Sequence, residues 1–443
     1  MNVDFSRLSG KIKPMNAVNN GPTRGGVRGE TPFFTNYKSA KIPYARLHDS
    51  AFFTGYGGDM SVDVHRIFRN FDADENNPDS YIFKPTDDYL SNINAAGTKI
   101  FYRLGAAIEH YFKFGTVPPK DYLKWARICE HIILHYTEGW ANGFKYDIEY
   151  WEIWNEPDCL NADGSNPCWQ GTLEEFCEFY SVVSKYLKSK FPHLKIGGPA
   201  VCTIWRDGFT DMFLQKVKDS GAVLDFFSYH VYGATVENMK ETIDKANSVL
   251  ERNGFLGVET ILNEWNYNDG WLDEKYTESI KTIKSLKGSS FLTGVMCVGQ
   301  SSNVDMLMYY DARPSGFNGF NMESQTPLKS YYSIKAFSEI ADLKNNVPIQ
   351  TELSNVYAVA STDGKQGAVL LTYFDNEKKE GKKRVKIDFN SAKFGDKVKV
   401  EYYLIDHVND LTLTREEIFS GERFSSYLNV DLYSTYLIKI KPE

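Results

Sequence analysis

No apolar run in the sequence approaches the roughly 18–20 residues that a membrane helix needs, so no transmembrane span is expected. There is no surplus of positive charge either. Lys and Arg number 50 against 58 Asp and Glu, a net charge of −8, which argues against nucleic acid or an anionic membrane as a partner. Cysteine is scarce at six residues, none in a C-x-x-C pair, and most read as small buried hydrophobes. No Gly-x-Ser-x-Gly occurs, which leaves a serine hydrolase with little support. His131 and His135 share a helix face but lack the Glu of the zinc-protease motif, so neither a metal site nor a cofactor is expected. Internal repeats and low-complexity segments are absent. The start, Met1 to Phe5, lacks the charged-then-apolar pattern of a secretory leader. The chain as written therefore reads as cytoplasmic, or as periplasmic or secreted if a leader was removed.

What is present is globular. Hydrophobic residues make up 42% and charged residues 24%, and 443 residues suggest two domains, one of which could be a barrel. Short apolar runs alternate with amphipathic segments over residues 9–346. The runs are Ile12–Val18, Tyr44–Leu47, Lys99–Leu104, Tyr150–Trp154, Leu194–Gly198, Leu224–Tyr229, Val258–Asn263 and Gly294–Val298. Between them, Leu173–Lys190 reads as a helix opened by a Thr172/Glu175 capping box, and a second helix runs from about Val236 to Asn253 and stops at Gly254. Strand–helix repetition implies a parallel sheet, and eight units imply a closed (β/α)8 TIM barrel with its active site where strands run into the following helices. Residues 347–443 change character. Asn355–Ser361, Gly367–Phe374, Val385–Phe389, Val398–Ile405 and Thr435–Lys441 read as strands, with a hairpin turn at Thr362-Asp363-Gly364. They imply a C-terminal β-sandwich, to which residues 1–8 could add a strand.

Chemistry concentrates at two strand ends. In Trp151-Glu152-Ile153-Trp154-Asn155-Glu156-Pro157, alternation places Glu152, Trp154 and Glu156 on one face, with Glu156 last, at the mouth. In Ile261-Leu262-Asn263-Glu264-Trp265, Glu264 ends the seventh run. Glycosidic hydrolysis needs two carboxyl groups, one to protonate the leaving oxygen. In retaining enzymes the other attacks the anomeric carbon, with about 5–5.5 Å between them. The fourth and seventh strands face each other across a barrel mouth closely enough for that.

Trp-Asn-Glu-Pro on the fourth strand with Asn-Glu-Trp on the seventh resembles clan A of the glycoside hydrolases. Within the clan the chain resembles family thirty-nine, the β-xylosidase and α-L-iduronidase family. Further matching pieces are Val18 to Pro22, Arg46-Leu47-His48-Asp49, Ser228 to Gly233 and Gly316 to Phe320. Tyr102-Arg103-Leu104-Gly105 departs, with Arg where family members often carry Glu. The resemblance implies Glu156 as acid/base and Glu264 as nucleophile. It also implies that Asn155 bonds the sugar 2-hydroxyl, that Tyr232 and Arg46 hold Glu264 ionised, and that His48 and His230 contact ring hydroxyls. Asp49 either assists there or caps a helix. Glu152 is expected to be a buried structural carboxylate. Trp265, Trp271, Trp169, Trp205 and Tyr309 fall near the mouth, where aromatic faces suit sugar rings, though core packing serves each equally well.

The expected function is a retaining β-glycosidase (or its α-L equivalent), exo-acting and β-xylosidase-like, on an oligosaccharide or polysaccharide. The alternatives are an endo-acting glycanase and an inactive carbohydrate-binding protein on the same scaffold. Cys159 and Cys168 flank the polar loop Leu160–Pro167, where a disulfide is expected if the protein is exported. Oligomeric state carries no signal in the sequence.

Overall fold

The structure, a computed structural model, describes all residues except 23–30, 48–61, 107–114, 207, 314–315, 323, 325 and 392–393. Strand β1 (Asn2–Asp4) precedes eight parallel strands that close a barrel. These are β2 (Ala17–Asn19), β3 (Tyr44–Arg46), β4 (Lys99–Leu104), β5 (Tyr150–Ile153), β6 (Lys195–Val201), β7 (Phe226–Gly233), β8 (Glu259–Tyr267) and β9 (Met306–Tyr309). Around them lie helices α1 (Pro32–Ser39), α2 (Val64–Ile67), α3 (Lys84–Ala95), α4 (Tyr122–Thr137), α5 (Leu173–Lys190), α6 (Phe209–Ser220), α7 (Val236–Arg252), α8 (Asp273–Ile283), α9 (Leu286–Ser301) and α10 (Lys329–Asp342). Helix α5 opens on the Thr172/Glu175 capping box. Helix α7 opens on Thr235, whose hydroxyl accepts from the Asn238 amide, and it ends before Gly254, which takes φ +82°.

The chain therefore folds as a TIM barrel with a C-terminal β-sandwich. The eighth barrel strand is not where the apolar run suggested. Gly294–Val298 lies inside α9, which is buried on nearly every face, and Met306–Tyr309 forms the strand. A helix apolar all round and a buried strand cannot be told apart by periodicity.

The remaining strands are β10 (Asn345–Val347), β11 (Ile349–Gln350), β12 (Val356–Thr362), β13 (Gly367–Tyr373), β14 (Lys382–Asn390), β15 (Lys397–Ile405), β16 (Asp410–Ser420), β17 (Arg423–Asp431) and β18 (Thr435–Pro442). They form sheets of order β11-β1-β14-β17 and β10-β12-β13-β18-β15-β16. Strand β1 runs parallel to β14, Asn2 opposite Asp388, and its Val3 enters the sandwich core with Val385, Ile387 and Val430. This sandwich packs on α9: Phe291 meets Phe374 at 5.5 Å, and the Ser290 and Thr372 hydroxyls bond at 2.7 Å. Among the described residues no helix is long and apolar enough to cross a membrane.

Candidate active site

The barrel interior changes from apolar to charged along its axis. Its floor is Ala17, Phe101, Tyr150, Phe226, Ile261, Met306 and Met308. Two residues further along β2, β4, β5, β7 and β8 the side chains turn polar, Asn19, Arg103, Glu152, Ser228 and Asn263, because the strand period of 2 returns them to the same face. Asn19, Arg46, Glu152 and Ser228 come together there, with Asn263 from β8. Arg46 Nε donates to Glu152 Oε2 at 2.7 Å, and one terminal nitrogen donates to Asn19 Oδ1 at 3.1 Å. Ser228 Oγ and Asn263 Nδ2 both donate to Glu152 Oε1. Arg46 and Glu152 are wholly buried. Such a pair is tolerable only when its remaining lone pairs and protons find partners, as they do here. Glu152 is thus the structural carboxylate expected. Ser228 and Asn263 escaped the sequence reading as partners of Glu152, although both stand beside motif residues.

Strand β8 departs from strict alternation. Leu262 pairs with Tyr229 and Glu264 pairs with His230, so Asn263 is an extra residue. This bulge lets consecutive side chains, Asn263 and Glu264, both face the interior. Trp265 then turns outward, fully buried against Phe291 and Tyr309, and presents no face to the cleft. Alternation also fails after β5. Trp154 takes φ +73° and Glu156 φ +49°. Trp154 therefore packs outward against Trp125, Trp169 and Phe179, not on the inner face with Glu152. Glu156, its amide bonded to the Ala200 carbonyl at 2.8 Å, reaches the mouth. A left-handed backbone at a non-glycine residue is strained and persists only where its surroundings enforce it.

At the mouth the two carboxylates meet. His230 Nδ1 stands 2.8 Å from Glu156 Oε1 and 3.6 Å from Glu264 Oε2. One ligand atom from each of Glu156, His230 and Glu264 lies within 4.8 Å of the other two. The Tyr232 hydroxyl donates to Glu264 Oε1 at 2.6 Å, and Arg46 reaches Glu264 Oε2 at 3.4 Å. Burial nevertheless raises the Glu264 carboxyl above its usual range, with the charge of Glu156 adding to it, against the pull of Arg46 and Tyr232. Burial likewise pushes His230 down to about 4, so its imidazole is neutral in ordinary buffers. Asn155 Oδ1 accepts from Arg46 at 2.5 Å, which orients the amide and leaves the buried Nδ2 without a protein partner.

Not every expected residue joins this group. His48 and Asp49 lie outside the described residues. Trp169 and Tyr309 are buried in packing, whereas Trp205 and Trp271 are 53% and 56% exposed. Trp271 stands edge-on to Tyr232 with centroids 5.0 Å apart. Arg103, the residue that departs from the family pattern, donates to Asp63 at 3.0 Å and to the Ala106 carbonyl at 2.8 Å. His135 is held by Asp87 and the Trp140 carbonyl and stacks on Phe83. The six cysteines are thiols, so the expected Cys159–Cys168 disulfide is not formed. Beside them Asp158, buried and close to Glu156, is pushed up to about 7 by its burial.

A carboxyl pair this close can protonate a leaving group from one side while the other attacks from the opposite side. Inverting enzymes instead separate theirs by about 6.5–9.5 Å to admit a water. The model of glycosyl hydrolases family 39 matches residues 58–276. A β-xylosidase of Geobacillus stearothermophilus is 29% identical over 198 residues, 41% of this chain and 36% of that one. A β-xylosidase of Caldicellulosiruptor saccharolyticus is 26% identical over 211 residues, 43% of this chain and 39% of that one. The chain thus matches well under half the length of either relative. A glucosidase from Croceicoccus marinus has a similar fold, with a TM-score of 0.82 at 18% identity, covering 100% of this chain and 98% of that one.

Proposed function

We propose that this chain is a member of glycosyl hydrolase family 39 and a retaining glycosidase of the β-xylosidase kind that releases a terminal sugar by double displacement. The observation that carries the reading is the approach of the Glu156 and Glu264 carboxylates, within 4.8 Å at opposing strand ends and bridged by His230. Glu264 attacks the anomeric carbon and forms a glycosyl ester, while Glu156 gives its proton to the leaving oxygen. Having lost its proton, Glu156 stays ionised because the charge of Glu264 is gone, and it withdraws a proton from a water that attacks the anomeric carbon, breaking the ester and freeing Glu264 as carboxylate. Neutral His230 positions Glu156 without competing for its charge. Tyr232 and Arg46 offset part of the burial cost of the Glu264 anion. The unpartnered Asn155 Nδ2 is the donor for the sugar 2-hydroxyl, a bond that strengthens in the transition state.

A screen of nitrophenyl xyloside, glucoside, galactoside, arabinoside and uronide tests this reading, with the anomeric configuration of the first product followed by proton NMR. A retained anomer from one of these supports it, and an inverted anomer overturns it. Exposed Trp205 and Trp271, on the loops after β6 and β8, favour a second reading in which further sugars stack beyond the cleaved bond and the enzyme acts within a chain. Internal cuts in xylan, with no release of single sugars from its ends, would favour that reading.

A further inference from the structure

Sulfur gathers beside Glu156. The Cys159 and Cys168 sulfurs and a Glu156 oxygen lie within 4.8 Å of one another. Cys202, just past the end of β6, hydrogen-bonds Cys159 and adds a third thiol. These groups are held in place by the loop that carries them. Asn166 donates to the Pro157 carbonyl, and its Oδ1 accepts from the Cys168 and Trp169 amides at 3.0 and 2.9 Å. The Cys168 carbonyl accepts the Trp154 indole N–H at 2.9 Å. Asp158 Oδ1 accepts the Cys202 amide at 2.8 Å, and Arg206 donates to the Asp158 carbonyl. Cys168 is buried, whereas Cys159, Cys202 and Glu156 are half-buried and open to an entering ion. None of the three thiols takes part in the hydrolysis described above.

Thiolates select soft cations, and a tetrahedral site with zinc–sulfur bonds of about 2.3 Å brings its ligands within roughly 4 Å of each other. We propose that Cys159, Cys168 and Glu156 form an inhibitory site for a thiophilic divalent cation such as zinc or cadmium, with solvent in the remaining position. As each metal–sulfur bond forms, the thiol releases its proton to solvent. Glu156 binds as carboxylate, so it holds no proton to give to a leaving group. The inhibitory half of this proposal rests on Glu156 being the acid/base, whereas the binding half does not. The catalytic group Glu156, His230 and Glu264 offers only oxygen and nitrogen, a harder set that the same cation fits less well.

The test is a cadmium titration of the full chain, reading the ultraviolet charge-transfer band of cadmium thiolate beside aryl-glycoside hydrolysis. One cadmium per chain, a thiolate band and loss of turnover over the same concentration range are expected, with magnesium inert. Cys159→Ser should abolish most of the band and raise the inhibitory concentration at least tenfold while hydrolysis without cadmium continues. Cys168→Ser should do the same; if this buried substitution does not fold, Cys159→Ser alone decides. Undiminished inhibition in Cys159→Ser, or inhibition without a thiolate band, would place the cation on the catalytic carboxylates and overturn the proposal. A normal band in a protein that hydrolyses no glycoside would leave the metal site standing and remove the glycosidase reading.

Discussion

His230 holds Glu156 through Nδ1, 2.8 Å from Oε1, while its own burial keeps the ring neutral. A neutral partner leaves the proton of Glu156 available for transfer. A charged one would pull the carboxyl toward the anion. His230→Gln should therefore lower kcat about tenfold or more on a substrate with a poor leaving group, and much less on a dinitrophenyl glycoside, which needs little protonation. The ring also ties stability to pH. Its folded-state value of about 4 lies below the unfolded value of about 6.5, so the stability it contributes is present above pH 6.5 and is lost as pH falls toward 4. The melting temperature of His230→Gln should fall less over that window than that of the wild type.

In the proposed double displacement Glu264 carries the covalent step. A slow 2-fluoro glycoside should label a single peptide spanning Ile261–Tyr267. Glu264→Gly with azide should yield a glycosyl azide of inverted configuration, because azide enters the face the carboxylate vacated. Glu156→Gly with azide should give the retained anomer, because there the anion replaces water in the second step. The same configuration from both variants would reverse or cancel the assignment of roles.

Tyr232 donates its hydroxyl proton to Glu264 Oε1, and this favours the ionised carboxylate against its burial. A hydrogen bond to a charged group contributes about 1.5–3 kcal/mol. Tyr232→Phe should thus move the acidic limb of the kcat/KM profile upward by about a pH unit or more and lower the plateau about tenfold or more. An acidic limb that stays in place would show that the hydroxyl does not set the ionisation of Glu264.

The inner ion pair bears on folding more than on chemistry. Glu152→Gln removes the charge facing wholly buried Arg46. Breaking such a pair from one side typically costs about 3–5 kcal/mol. Urea unfolding should show a loss of that order, and a midpoint equal to wild type would mean that Arg46 is compensated by Glu264, Asn19 and Asn155.

The carboxylates were legible because each closes an apolar run at a polar, strand-ending motif. The barrel was legible because strands and helices alternate at nearly regular spacing. The side to which Trp154 turns was not, since it depends on a left-handed φ that no periodicity encodes. The inward turn of both Asn263 and Glu264 depends on a bulge whose register only the neighbouring strand defines. Strand β16, Asp410–Ser420, has hardly any apolar face and pairs along one edge with β15, so it carried no alternating signal. The sulfur cluster was half visible. Cys159 and Cys168 stand near each other in the chain, but Cys202 arrives from the end of another strand.

The pairing of β1 with β14 constrains the order in which the chain acquires structure. Residues 2–4 leave the ribosome well ahead of residues 388–390, the partners they lie beside in the finished sheet. In the interval the whole barrel is synthesised and is free to close, since its strands pair mostly with near neighbours. Val3 and Phe5 meanwhile have no core to enter, because Phe389 and Phe394 do not yet exist. The four-stranded sheet is then joined by a contact of very large sequence separation, the kind that forms slowly. The barrel must therefore hold its own shape while the N-terminal segment waits, and the sandwich assembles last against a wall that is already built.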